Sequence, residues 1–70
     1  MEIKLRNTIR KFRFEHDEMT QQELANRAGC TRQTINTLEA DKYAPSLVLA
    51  YQIARVFKVN IEDVFQFEEI

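Results

Sequence analysis

TQQELANRAGCTRQTINTL, residues 20–38, reads as two short helices joined by a turn with one glycine at its hinge. Thr20 opens the first helix as a cap. Its hydroxyl is placed to accept from the backbone N–H three residues on, and Glu23 to reach back to the Thr20 N–H, the reciprocal pair of a capping box. Leu24, Ala25 and Ala28 then form an apolar stripe at helical spacing. Gly29 is the one glycine in the chain and stands just past that stripe. A helix end there wants a positive φ, which glycine takes without steric cost. Thr31 follows as the cap of the second helix, with Ile35 and Leu38 as its inward positions. The intervening turn is about 3–4 residues, the length used in helix-turn-helix units.

The face left over on the second helix carries Arg32, Gln33, Asn36 and Thr37. These are the side chains that read base edges. Arg forks onto guanine O6 and N7, Gln and Asn onto adenine N6 and N7, and Thr offers a hydroxyl or a methyl. An idle solvated face is more often rich in Glu and Lys, and neither occurs between Thr31 and Leu38. An ordinary polar face is the plain alternative. The capped helix and the glycine turn beside it weigh against that reading.

Seventy residues make one domain with one modest core, here residues 1–70 with the helix-turn-helix unit at about 20–40. The hydrophobic and charged fractions, 44% and 30%, are those of a globular chain and not a disordered one. The longest apolar run, Leu47 to Tyr51, is far too short to span a membrane. Charges begin at Glu2, so nothing there resembles a secretion signal, and a lone cysteine suits a reducing compartment; a cytoplasmic protein is expected.

The net charge of -1 hides a strong asymmetry. Lys4, Arg6, Arg10, Lys11 and Arg13 form a basic block with no acid among them, whereas residues 59–70 hold four acids and no base. Such a chain presents a positive face to phosphates and turns its acidic end away.

The remainder reads as scaffold. Leu5, Ile9, Phe12 and His16 lie at helical spacing and predict a first helix over about residues 6–16, with Phe14 off its stripe. Met19 plugs the start of the second helix. Pro45 and Ser46 end a loop and cap a fourth helix that is expected to bury Leu47, Ala50, Ile53, Ala54 and Phe57. Asn60 caps a short fifth helix with Asp63 at its third position, and Val59, Ile61, Val64 and Phe65 close the core. The two ends alternate with period two, Ile3 and Leu5 against Phe65 and Phe67. That pattern gives either a short antiparallel pair, with Lys4 near Gln66 or Glu68, or frayed termini. The fold class expected is all-α, five helices, with a terminal strand pair as an addition.

On Ile9-Arg10-Lys11-Phe12-Arg13, Thr20-Gln21-Gln22-Glu23-Leu24-Ala25, Thr31-Arg32-Gln33-Thr34-Ile35-Asn36, Leu38-Glu39 and Tyr43-Ala44-Pro45-Ser46-Leu47, the chain resembles the small Cro/C1-type (lambda-repressor-like) helix-turn-helix regulators. The resemblance spans roughly residues 6–66 and implies a homodimeric transcriptional repressor on a double-stranded operator. It implies that the helix after Thr31 lies in the major groove with Arg32, Gln33, Asn36 and Thr37 toward the bases. Gln21 would hold a phosphate, with Thr31 and Thr34 as further backbone contacts and Lys42 and Tyr43 gripping the sugar-phosphate chain. It also implies a structural ion pair between Arg13 and Glu39. The acidic, aromatic C-terminal end, Phe65, Phe67 and Ile70, is the expected dimer surface.

Two departures stand out. Asp17-Glu18-Met19 lengthens the first interhelical loop, and Ala40-Asp41-Lys42 stands where an Asn-Gly-Lys type of turn is common. Asp41 tolerates the left-handed conformation that glycine would supply. No cofactor is implied. One Cys and one His cannot make a structural zinc site, and no nucleophile is paired with a base, so an enzyme is not expected. Cys30 before a helix N-terminus invites a redox role, but free cysteines of this kind are usually buried and structural. The rival functional class is a protein-interaction module, an antitoxin or adaptor on the same fold.

Overall fold

A computed structural model describes residues 1–70. Its elements run β1 (Ile3–Asn7), α1 (Ile9–Glu15), α2 (Gln21–Ala28), α3 (Arg32–Glu39), α4 (Leu47–Phe57), α5 (Ile61–Val64) and β2 (Phe65–Glu69). The five helices are as expected, but the class is not strictly all-α. β1 and β2 form a two-stranded antiparallel sheet in the register Lys4↔Glu68, Leu5↔Phe67 and Asn7↔Phe65. Arg6 adds an exposed ion pair to Glu68 at 3.4 Å.

The strand corrects the first helix. α1 begins at Ile9, not near residue 6, and Leu5 belongs to β1. Leu5 nevertheless packs against the core, reaching it from the sheet. An inward residue four positions before Ile9 thus mimics a helical stripe that the backbone does not follow.

Side-chain caps fix the later helices. Thr20 accepts from Glu23 N–H at 3.0 Å, Thr31 from Thr34 N–H at 3.2 Å and Ser46 from Leu49 N–H at 3.1 Å. The other half of the Thr20 capping box is not made, because the Glu23 carboxylate turns to Arg27 one helical turn on, at 2.8 Å. At α5 it is made, with Asp63 accepting from Asn60 N–H at 3.0 Å. Gly29 ends α2 at φ 79, as its position demanded. The longer first loop is absorbed by Asp17 and Glu18, both left-handed at φ 56 and 54.

Thirteen residues are buried and all are apolar, drawn from every helix, from β2 and, at Met19, from the loop before α2. Phe12 stacks on Phe57 with ring centroids 5.3 Å apart. His16, exposed at the end of α1, tilts onto the same Phe57 ring, and its Nδ1 lies 2.9 Å from the Phe12 carbonyl. One expected burial fails. Leu47 is 77% exposed, and Leu49 takes the inward place in the first turn of α4. Conversely, Phe65 is 2% exposed and belongs to the core, so it cannot form a dimer surface; Phe67 and Ile70 remain exposed. Phe65 and Phe67 share one face of β2, but Phe65 directly follows α5 and is covered by the core, while Phe67 lies farther out along the ribbon. No helix is long and apolar enough to cross a membrane.

Candidate nucleic-acid interface

α3 is amphipathic for a simple reason. Ile35 and Leu38 are buried three residues apart, which turns Arg32, Gln33 and Asn36 outward into solvent. Its start is rigidified twice, since the Thr31 and Thr34 hydroxyls also lie 2.9 Å apart. Thr31 is exposed and Thr34 half-buried. Thr37 is also half-buried, and its hydroxyl donates to the Gln33 carbonyl at 2.8 Å. Gln33 Nε2 in turn donates to that hydroxyl at 3.3 Å. In the free protein the Gln33 amide is thus folded back along the helix, and Thr37 is the least available of the four expected base readers.

Gln21 is the first residue of α2, and its amide spans both helices of the motif. Nε2 lies 3.3 Å from Glu39 Oε1 and 3.5 Å from Asn36 Oδ1. Glu39 is held in turn by Arg13 of α1. The guanidinium forks onto the carboxylate at 2.7 and 3.0 Å and donates a third bond to the Met19 carbonyl at 2.8 Å. Both side chains are mostly buried, at 14% and 11% exposure. Arg13, Glu39, Gln21 and Asn36 therefore form one chain of contacts from α1 to the outer face of α3.

The three ion pairs of the molecule use Arg6, Arg13 and Arg27, and Arg10, Lys11, Arg32 and Lys42 are among the seven basic residues left without an acidic partner. Arg10 lies over the half-exposed Phe14 ring at 5.7 Å from its centroid, which holds its charge on the side of α1 nearest Gln21. Lys42 and Tyr43 are both exposed in the loop after α3. Sequence reasoning missed the residue that shapes this loop. Asn7 Nδ2 donates to the Leu38 carbonyl at 2.8 Å and to Asp41 Oδ1 at 2.9 Å. A polar residue closing an apolar-alternating strand was the only available signal.

Cys30 is half-buried against the core, and burial pushes its thiol above the ordinary range, the opposite of what a reactive thiolate needs. No group of His, Cys, Asp and Glu is arranged to hold a metal ion.

Two capped helices across a left-handed glycine, the second offering Arg32, Gln33 and Asn36 to solvent, define a helix-turn-helix domain of the DNA-reading kind. A family model described as helix-turn-helix matches residues 9–64, and the chain belongs to this Cro/C1-type family of DNA-binding transcriptional regulators. It is similar to an uncharacterized HTH-type transcriptional regulator of Archaeoglobus fulgidus, 55% identical over 65 residues that cover 93% of this chain and 90% of the relative. The uncharacterized HTH-type transcriptional regulator MJ0272 of Methanocaldococcus jannaschii is 45% identical, with 93% and 97% covered. YgzD of Bacillus subtilis, an uncharacterized HTH-type transcriptional regulator, is 37% identical with the same shares covered.

Proposed function

We propose that this chain is a cytoplasmic homodimeric repressor that inserts α3 into the major groove of a pseudo-palindromic duplex. The observation that carries the reading is the outward face of α3, where Arg32, Gln33 and Asn36 stand free of the core beside Gln21 at the start of α2. Arg32, Gln33, Asn36 and Thr37 read base edges. Gln21, Thr31, Thr34, Lys42 and Tyr43 position the domain on the backbone. Phosphate contacts supply much of the affinity and make it salt-sensitive. For Gln33 to reach a base, its amide must leave Thr37, a small rearrangement on binding. A two-fold dimer sets two α3 helices about 34 Å apart, one helical turn of DNA.

The dimer surface is built from exposed apolar side chains. Phe67 and Ile70 at the sheet end remain candidates, at 65% and 75% exposure, and Leu47, Val48 and Tyr51 on α4 form a second such patch. Those patches also support the rival reading of a protein-interaction module.

Selection from a randomised duplex library at moderate salt tests the proposal. Enrichment of an inverted repeat with half-sites about one turn apart is the expected result. Binding that tracks only ionic strength, with no enriched sequence, refutes sequence-specific reading. Within the enriched site, Gln33→Ala or Arg32→Ala is expected to cost about 1–3 kcal/mol and relax one position while leaving the fold intact.

A further inference from the structure

We propose that Asn7, at the end of β1, is a positioning residue for DNA binding that sets the loop carrying Lys42 and Tyr43. The inference rests on the reading that those two residues grip the DNA backbone.

The end of α3 is a six-residue closure. Lys42 N–H donates to the Thr37 carbonyl at 3.2 Å and Asp41 N–H to the Leu38 carbonyl at 3.0 Å, with Asp41 left-handed at φ 58. Glycine is the usual residue at that left-handed position, because any Cβ is crowded there. This chain has one glycine and uses it at Gly29. Asn7 supplies what the missing glycine does not. Its Nδ2 bonds both the Leu38 carbonyl and the Asp41 carboxylate, and its Oδ1 accepts from Ile9 N–H at 3.1 Å. One amide therefore ties the start of α1 to the end of α3 and fixes the left-handed residue by its side chain.

Asn7 is itself anchored. It pairs in register with Phe65, whose ring is in the core. The end of α4 offers an internal comparison. Lys58 is left-handed there at φ 59 within the same pattern of bonds, Val59 N–H to Ala54 and Lys58 N–H to Arg55, yet only backbone groups hold that turn. A left-handed non-glycine residue thus does not by itself require a side-chain tie. The tie occurs at the turn whose next two residues are Lys42 and Tyr43. It also turns the Asp41 carboxylate toward Asn7, and Lys42 makes no ion pair with it.

The test is a double-mutant cycle on the full chain, with Asn7→Ala, Asp41→Gly and the two combined, read by fluorescence anisotropy on the selected duplex. Amide hydrogen exchange is followed in parallel without DNA. Asn7→Ala is expected to keep its helical circular dichroism and to bind about fivefold to tenfold more weakly, the size of one lost hydrogen bond. Its salt dependence should flatten by about one counterion, the change also expected of Lys42→Ala. The Lys42 amide should exchange at least about tenfold faster, a faster local opening of the turn. In the Asp41→Gly background glycine holds the left-handed residue and only the Leu38 and Ile9 bonds of Asn7 remain to be lost, so Asn7→Ala should change affinity and exchange by less than half as much as it does in the wild type. An equal loss of affinity in both backgrounds, or an unchanged Lys42 amide in Asn7→Ala, overturns the proposal. If the wild-type chain binds no duplex, the DNA reading itself fails, while the exchange data still report whether Asn7 holds the turn.

Discussion

Removing the Glu39 carboxylate is the sharpest test of how the helix-turn-helix unit is fastened to α1. In Glu39→Ala, Arg13 loses both bonds of its fork, at 2.7 and 3.0 Å, and keeps only the Met19 carbonyl at 2.8 Å. With 14% of its side chain exposed, Arg13 cannot recover full hydration in place. Breaking a buried pair by removing one partner costs about 3–5 kcal/mol. Partial access to water places this pair near the low end, about 3 kcal/mol. For a domain of this size that corresponds to a fall in Tm of roughly 12–24 °C. Gln21 also loses its 3.3 Å acceptor, so DNA affinity should fall further than the folded fraction explains. Urea unfolding followed by circular dichroism, at fixed protomer concentration, measures the first effect. The paired change Arg13→Met with Glu39→Leu leaves no stranded charge and should recover most of the stability. A cost below about 1 kcal/mol would class the pair with ordinary surface salt bridges and refute the reasoning. So would a double variant no more stable than Glu39→Ala.

Thr31→Ala removes the cap on α3 and should cost about 1 kcal/mol, visible as a shift in urea midpoint at constant slope. The Cys30 thiol, held protonated by burial, ionises later in the folded chain than in the unfolded one. The folded state therefore binds more protons as pH rises past about 9, and stability should drop there in the wild type relative to Cys30→Ser. Alkylation of Cys30 at pH 8 should be slower than that of a free thiol, and equal rates would contradict its burial. Val48→Glu and Phe67→Glu should each leave monomer stability within about 0.5 kcal/mol, since both sites are exposed. Sedimentation then shows which of the two abolishes the dimer; a dimer that survives both rules out both patches.

What was legible in the sequence was local. Thr20, Gly29, Thr31 and Ser46 specify helix ends through their own chemistry, and each does so in the structure. The inward stripe of α3 needed only Ile35 and Leu38, so the outward set followed without tertiary information. The failures share a different cause. Leu5 has the spacing of a helix but reaches the core from a strand, a distinction set by pairing with β2 more than sixty residues away. Leu47 and Leu49 are chemically alike, and which one turns inward depends on where the first turn of α4 meets its neighbours. Glu23 had two partners within reach and took Arg27. The Asn7 tie to Asp41 joins residues 34 positions apart, beyond any periodic pattern.

The sheet joins the first element of the chain to the last. Ile70 N–H donates to the Glu2 carbonyl at 3.0 Å, closing a loop that encloses every helix. Closing so long a loop is costly in chain entropy unless the intervening segment is already compact. The ribbon should therefore form after the barrier to folding has been crossed, once the helices have brought the two ends together. Substitutions along it would then accelerate unfolding and leave the folding rate nearly unchanged. The strands act as a late clasp, governing how long each molecule stays folded more than how quickly it gets there.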